Sequence, residues 1–299
     1  MRPSGLVAAA FTPFHDDCSL AAERIGPLVE YYRSRPLGGL FVCGSTGECS
    51  TLTDDERREV AAAYVKAARG RLPVIVHAGS SAVASSRALA GHAQSIGADA
   101  VAAVAPYYSR PRTREALTAS LAAIAAGAPK LPFFFYHIPS LTGVSFPVAD
   151  MMSGLRETIP NFAGVKFTCE DLMDYHGVLA ACEPGEQAFF GRDEILLAGL
   201  ALGAISAVGS TYNYSARLSD AIIQAFRRGD WDEARRLQLA SRRQIMAFLR
   251  AGGDSQKITM RLASGIDLGP ARLPAGRLSP EAEKDYLAEL DAIGFHSWL

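Results

Sequence analysis

The chain has 299 residues, of which 49% are hydrophobic and 20% are charged, and its formal net charge is −1. Because it is nearly neutral and has no long basic runs, it lacks the electrostatic footprint of proteins that bind nucleic acid or an anionic membrane. We therefore expect a small-molecule partner, and neither a nucleic acid nor a membrane. The length would suit two average domains, but α/β barrels of about 250 residues are single domains.

Residues 1–5 lead directly into an apolar run, and no hydrophobic stretch is long enough to span a bilayer. These features predict a cytoplasmic protein. The five cysteines are an odd number without a CxxC pair, so they indicate neither a disulfide framework nor a zinc knuckle.

Short apolar runs recur along the chain and are typical of buried parallel strands. They span residues 6–14, 39–43, 73–78, 100–105, 133–137, 162–167, 188–190 and 203–208. The stretches between them mostly have helical periodicity, and an eighth helix is expected at about 216–228. Eight strands, each followed by a helix, predict a closed (β/α)8 TIM barrel rather than a doubly wound sheet.

Beyond residue 228 the sequence predicts a C-terminal helical extension. Helices are expected at 230–249, 255–264 and 279–292. We therefore divide the chain into a barrel domain that carries the active site, 1–228, and a helical extension, 229–299. The simplest role of the extension is packing against the barrel or forming part of an oligomer contact.

The second apolar run is followed by Gly-Ser-Thr-Gly-Glu at 44–48. In such barrels the active site lies at the carboxyl ends of the strands, so polar residues at these points are the functional candidates. The glycines permit a tight turn that exposes backbone N–H groups beside Ser45 and Thr46, which suits a carboxylate or phosphate. Alone, the loop is equally consistent with a turn whose hydroxyls satisfy local backbone groups.

The fifth run ends with Tyr136 and His137, one strand before the run that contains Lys166. A phenol at the barrel mouth is suited to moving protons to and from a substrate, although a buried tyrosine with one hydrogen-bond partner is the commoner case. His137, next in sequence, is expected to point away into the barrel wall.

Lys166 interrupts a run that otherwise has the composition of a strand buried on both faces. Burying an unpaired ammonium is costly, and the usual outcome is a lowered pKa, which leaves a neutral amine able to attack a carbonyl carbon. This residue predicts a Schiff-base enzyme. The alternative is a strand-end lysine that reaches solvent or meets a carboxylate.

The seventh run is followed by Gly-Arg-Asp-Glu at 191–194 and the eighth by Gly-Ser-Thr at 209–211. Together they supply carboxylates and hydroxyls for a polyol. Each also has a structural interpretation, as helix N-caps or as a surface pair between arginine and a carboxylate.

With these motifs the sequence resembles, over essentially its whole length, the N-acetylneuraminate lyase and dihydrodipicolinate synthase family of class I, pyruvate-dependent aldolases. The matching elements occur in order along the chain. They are GSTGE at 44–48, PYYSRP at 106–111, YHIPSLTG at 136–143, GVKFT at 164–168, GRDE at 191–194 and AVGSTYNY at 207–214.

The resemblance implies a role for each matching residue. Lys166 would form an imine with the C2 carbonyl of a 2-keto acid, so that no cofactor is needed. Ser45 and Thr46 would hold the substrate carboxylate, and Tyr136 would move the proton of the C4 hydroxyl. Tyr108 would reach in from a neighbouring subunit to complete a hydroxyl relay, which implies at least a dimer and, by family habit, a homotetramer.

The distal pocket resembles that of the sialic acid lyases within the family. Dihydrodipicolinate synthases have an arginine where this chain has Leu141, and without it a second substrate carboxylate loses its bidentate partner. The residues expected to bind a polyhydroxylated tail are Thr168, Gly191, Asp193, Glu194 and Ser210. The resemblance therefore implies reversible cleavage of N-acetylneuraminate to N-acetylmannosamine and pyruvate.

Three alternatives stay open at this point. Arg192, inside the proposed sugar site, keeps open an aldolase or dehydratase for another 2-keto-3-deoxy sugar acid. Dihydrodipicolinate synthase activity is disfavoured by Leu141, and a non-catalytic sensor is disfavoured by the presence of Lys166, Tyr136 and Ser45 together. The six histidines have no paired ligand spacing, so we expect no metal.

Overall fold

The computed structural model describes residues 3–299, so the first two residues of the predicted N-terminal segment lie outside it. Eight parallel strands form a closed barrel in chain order, with β8 pairing back onto β1. The strands are β1 Gly5–Ala9, β2 Gly39–Val42, β3 Val74–His77, β4 Ala100–Val104, β5 Phe133–His137, β6 Phe162–Phe167, β7 Gln187–Phe190 and β8 Ser206–Gly209. The predicted (β/α)8 architecture is confirmed.

Helices surround the strands. They are α1 Ile25–Arg33, α2 Asp54–Ala68, α3 Val83–Ser95, α4 Arg114–Ala125, α5 Pro139–Thr142, α6 Met152–Thr158, α7 Leu172–Ala181, α8 Leu196–Leu202 and α9 Tyr212–Arg227. At the start of α2, Thr53 and Glu56 form a capping box, in which each side chain accepts from the other's backbone N–H. This arrangement follows from the Thr53 N-cap before an acidic first turn.

Three predicted bounds are wrong by three residues or more. The first run continues to Phe14, but β1 ends at Ala9, because the chain leaves the sheet and the Phe14 N–H donates to the Leu268 carbonyl of the C-terminal segment. The eighth run begins at Gly203, which instead ends α8 in a left-handed conformation. Helix α9 begins four residues early, before a kink at Ser215 that interrupts its periodicity.

The side chains of each strand alternate between two apolar layers. One layer fills the barrel and includes Phe41, Phe134 and Phe189, and the other lies between the strands and the helices. In this alternation Tyr136 faces the barrel interior. His137 faces the helices, with its ring 5.2 Å from that of Phe167, which confirms its predicted orientation.

The C-terminal segment contains α10 Trp231–Ala251, α11 Ser255–Ser264 and α12 Pro280–Ala292, close to the predicted helices. Leu218 and Ile222 of α9 pack against Leu237 of α10. The domain boundary at residue 228 stays a prediction. No helix within residues 3–299 is both long and apolar enough to cross a membrane.

Candidate active site

A cavity of about 140 Å³ lies at the carboxyl ends of the strands. Its walls come from the ends of β1, β5 and β6, from the loops after β2, β7 and β8, and from α10. The predicted site residues in its lining are Ser45, Thr46, Tyr136, Lys166, Thr168, Gly191, Asp193, Glu194 and Ser210. Tyr108 is the one predicted site residue that the cavity of this chain does not include.

Lys166 lies at the floor of this cavity, with only 4% of its surface exposed. Its Nζ is 3.9 Å from the centroid of the Phe41 ring and 3.8 Å from that of Tyr136. Burial lowers the pKa of Lys166 to about 7, against the opposing effect of the Asp193 carboxylate. Near neutral pH a large share of this amine is therefore unprotonated and nucleophilic.

Tyr136 lies beside Lys166 because the register of β5 and β6 pairs the two residues. Its hydroxyl is 3.4 Å from Ser45 Oγ, a contact in which either oxygen is able to donate. Burial raises the pKa of Tyr136 to about 12, with the Ser45 contact acting in the opposite direction. The phenol therefore holds its proton at neutral pH, and Ser45 connects it to the loop after β2.

The loop after β2 is tightly wound. Cys43 and Glu48, at its two ends, have φ of 56° and 55°, in the left-handed region that side chains disfavour. Among residues 3–299, no acceptor receives the backbone N–H groups of Ser45 and Thr46, which border the cavity. These donors, with the two hydroxyls, form a site suited to a carboxylate.

Thr168 and Gly191 meet where β6 and β7 end. A Cβ on Gly191 would lie 2.0 Å from Thr168 Oγ1, so only glycine lets the two chain segments approach this closely. Within residues 3–299 the Thr168 hydroxyl is buried and makes no close hydrogen bond, although it lies near enough to the Tyr136 hydroxyl to lower the pKa of that phenol. It lines the cavity and is therefore available to a ligand.

Asp193 is buried and belongs to a small network with Thr211. Its Oδ2 accepts from the Thr211 backbone N–H at 2.9 Å and from the Thr211 hydroxyl at 2.6 Å. Burial raises its pKa to about 6, and the two Thr211 bonds act in the opposite direction. Gly209 leaves room for this carboxylate, because a Cβ there would lie 2.0 Å from Asp193 Oδ1.

Arg192 lies at the cavity rim between two carboxylates. It forms an ion pair with Glu170, and its Nη1 is 3.7 Å from Glu194 Oε1. Its positive charge is thus compensated within the chain. The arrangement gives the distal pocket an excess of carboxylates, which favours hydroxyl groups over a further anion.

Residues 2–293 match the dihydrodipicolinate synthetase family. The chain belongs to this family. An N-acetylneuraminate lyase of Pongo abelii is 40% identical over 299 aligned residues, which cover 98% of this chain and 93% of that protein.

Solved structures of sialic acid aldolases superimpose on nearly the whole of this chain. The N-acetylneuraminate lyase (sialic acid aldolase) of Aliivibrio salmonicida has a TM-score of 0.94 at 34% identity, covering 99% of this chain and 98% of that chain. A catalytic lysine mutant of the sialic acid aldolase of Ruminococcus gnavus has a TM-score of 0.91 at 28% identity, covering 99% and 98%.

Tyr108, which the family resemblance assigns to a relay, is not brought to the cavity by its own chain. Its side chain is 88% exposed, whereas the preceding Tyr107 packs against the barrel interior. The family assignment of Tyr108 therefore requires a second subunit, and it stays a prediction.

Sequence reasoning assigned Thr211 a hydroxyl for a polyol, but that hydroxyl donates to Asp193 instead. It missed other residues around the cavity, among them Ile245 and Phe248 of α10. His77, at the end of β3, donates from Nδ1 to the Cys43 carbonyl at 2.9 Å, and its ring lies 5.6 Å from that of Tyr136. The position of His77 near the end of a predicted strand is the only feature of the sequence that points to its place beside the cavity.

Proposed function

We propose that the protein is a Schiff-base aldolase that cleaves N-acetylneuraminate reversibly to N-acetylmannosamine and pyruvate. The observation that carries this proposal is Lys166, a buried amine with a pKa of about 7 that lies against Tyr136 in the cavity. It is supported by family membership and by the N-acetylneuraminate lyases named above.

The reaction begins at Lys166. Its neutral amine attacks the C2 carbonyl of the keto acid, the Tyr136 phenol donates its proton to the departing hydroxyl, water leaves, and a protonated imine forms. The Tyr136 phenolate then accepts the proton of the C4 hydroxyl as the C3–C4 bond breaks, and the electron pair of that bond enters the imine system as an enamine. Protonation of the enamine at C3 and hydrolysis then release pyruvate and restore the amine.

The rest of the cavity binds the two ends of the substrate. Ser45 and Thr46, with their backbone N–H groups, hold the C1 carboxylate and fix the keto carbon beside Lys166. At the other end, the hydroxyls of the sugar tail bind five residues. These are Thr168, Gly191, Asp193, Glu194 and Ser210.

Another 2-keto-3-deoxy sugar acid is the second candidate substrate. An unpaired Arg192 would favour a substrate with an additional negative charge, but Glu170 and Glu194 compensate the charge of Arg192. Dihydrodipicolinate synthase activity remains the weakest alternative. The guanidinium of Arg110 packs against Gly143, near Leu141, yet Arg110 does not line the cavity.

The cellular context belongs to the same proposal. We infer a cytoplasmic homotetramer that uses no cofactor beyond the lysine imine, and in which Tyr108 of one subunit completes the hydroxyl relay of the next. The 88% exposure of Tyr108 on a single chain supports a position at a subunit contact.

The deciding experiment measures pyruvate release from N-acetylneuraminate through coupling to lactate dehydrogenase, with 2-keto-3-deoxygluconate run in parallel. We expect release from the sialic acid and none from Lys166→Ala. If neither substrate releases pyruvate while Lys166 is still trapped by pyruvate and borohydride, the aldolase class stands and the assigned sugar is wrong.

A further inference from the structure

The C-terminal segment holds the loop after β2 through a buried charge. Lys257 of α11, 5% exposed, places its Nζ 2.6 Å from Glu48 Oε1, whose side chain is 14% exposed. The same Nζ donates to the Pro270 carbonyl at 2.9 Å and lies 4.2 Å from the centroid of the Phe14 ring. Because the pair is shielded from water, its strength depends little on salt.

The other Glu48 oxygen is held by the same segment. Glu48 Oε2 accepts from the Arg272 backbone N–H at 2.8 Å. The Arg272 guanidinium donates to the Thr51 carbonyl at 3.0 Å and to Glu56 Oε1 at 2.6 Å. One arginine therefore binds the loop at Glu48, the chain just beyond it, and the capping box that begins α2.

These contacts act on a loop that local preference would not stabilise. Glu48 has a left-handed backbone at φ 55°, a conformation that persists only where surrounding contacts impose it. Ser45 and Thr46 lie three and two residues earlier, and the Glu48 N–H donates back to the Ser45 carbonyl at 3.0 Å. The Glu48 carboxylate is thus connected to both hydroxyl residues through one short turn.

We propose that Glu48, Lys257 and Arg272 are positioning residues, through which the C-terminal extension aligns Ser45 and Thr46 with Lys166 for capture of the keto acid. This inference rests on the proposed role of Ser45 and Thr46 in holding the substrate carboxylate. It gives the C-terminal extension a part in binding pyruvate, although neither Lys257 nor Arg272 lines the cavity.

The test compares pyruvate capture in wild type, Glu48→Gln and Lys257→Met. Each protein is titrated with pyruvate in the presence of cyanoborohydride, and the modification of Lys166 is followed by mass spectrometry. We expect the half-saturating pyruvate concentration to rise about tenfold or more, because a displacement near 1 Å in a binding group is that costly. Lys257→Arg, which keeps the charge, should restore part of the loss.

Arg235→Met is the matched control, because it removes an arginine from an exposed pair with Asp232 in the same extension. It should leave pyruvate capture unchanged. Thermal melting separates positioning from stability, since a merely structural role would lower Tm and leave the half-saturating concentration of the folded protein unaltered. That outcome would overturn the inference.

If a single variant fails to fold, Glu48→Gln combined with Lys257→Met removes both charges and leaves neither unpaired. The double variant should fold and still capture pyruvate weakly, and wild-type affinity would contradict the inference. The proposed function fails differently: in that case pyruvate does not trap Lys166 even in the wild type.

Discussion

Lys166 places an ionisable amine in surroundings that disfavour its charged form. Phe41 and Tyr136 present ring faces to its Nζ, and the Asp193 carboxylate, which would stabilise the ammonium, is itself bound by Thr211. Ring faces offer a cation–π attraction that offsets only part of the lost hydration. The result is an amine whose pKa lies near neutral pH, as imine formation requires.

The pKa of about 7 predicts how imine formation varies with pH. Only the neutral amine attacks, so about a tenth of it is reactive one pH unit below this value and about nine tenths one unit above. The initial rate of trapping by pyruvate and cyanoborohydride should therefore rise with a midpoint near pH 7. A midpoint near 10, typical of an exposed lysine, would contradict the assignment, and Lys166→Met provides the blank.

Tyr136→Phe separates imine formation from bond cleavage. The phenol holds its proton until the protonated imine forms, so its loss removes acid–base work at the C4 hydroxyl and leaves the Lys166 environment largely intact. We expect the cleavage rate to fall by about 10²-fold or more, with pyruvate trapping partly spared. Steady-state release of pyruvate and single-turnover trapping measure the two steps, and an unchanged cleavage rate would remove Tyr136 from the mechanism.

At the residue scale the sequence predicts the strand-end groups well and the supporting groups poorly. Lys166 and Tyr136 end neighbouring strands, so barrel geometry alone brings them together. The Thr211 bonds to Asp193 and the pairing of Arg192 with Glu170 depend on loop conformations. No periodicity reports those conformations, so the sequence offers a pair between arginine and a carboxylate only as an alternative and does not identify Glu170 as the partner.

At the scale of elements, α10 carries an unpredicted function because one of its faces closes the cavity. Ile245 and Phe248 lie on that face, while the neighbouring Leu249 is 56% exposed. An amphipathic pattern shows that a helix buries one face, but it does not show what that face covers. The strands differ in this respect. The order of the eight buried runs determines which strands are neighbours, and the barrel fold places the site at the carboxyl ends of the strands.

Phe248→Ala tests this role of α10. Removing the ring widens the distal side of the cavity, so we expect the KM for N-acetylneuraminate to rise several-fold, about 1 kcal/mol of lost contact, while pyruvate trapping at Lys166 is unchanged. Leu249→Ala, which removes an exposed side chain from the same helix, should alter neither. Equal effects on sugar and pyruvate would indicate a general disturbance of the barrel instead.

At the scale of the whole molecule, the rim of the barrel offers a surface for the proposed subunit contact. Tyr108, Leu141 and Met173 are exposed large side chains that follow β4, β5 and β6 in turn, with 88%, 61% and 84% of their surfaces accessible on one chain. Consecutive strands of a barrel place such residues along one side of its upper rim. An apolar rim of this kind suits contact with a second copy, consistent with the proposed relay from a partner subunit.

Mixed oligomers test whether subunits share an active site. Lys166→Met lacks the nucleophile but supplies Tyr108, and Tyr108→Phe retains the nucleophile but supplies no relay hydroxyl. If Tyr108 acts across a two-fold contact, co-expression at equal levels should restore about a quarter of wild-type activity, because half the pairs are hybrid and each has one complete site. Purification through two different tags and the pyruvate-release assay would measure it.

The matched control for the mixing experiment pairs Lys166→Met with Tyr136→Phe. Tyr136 lies in the same chain as the Lys166 that it contacts, so no hybrid of these two variants contains a complete site. Restoration in the Tyr108 pair alone would establish a shared site. Failure of both mixtures, in hybrids that assemble normally, would show that Tyr108 does not act across the contact. Wild-type activity of Tyr108→Phe by itself would place the Tyr108 hydroxyl outside the relay and leave Ser45 and Tyr136 as the proton path within one chain.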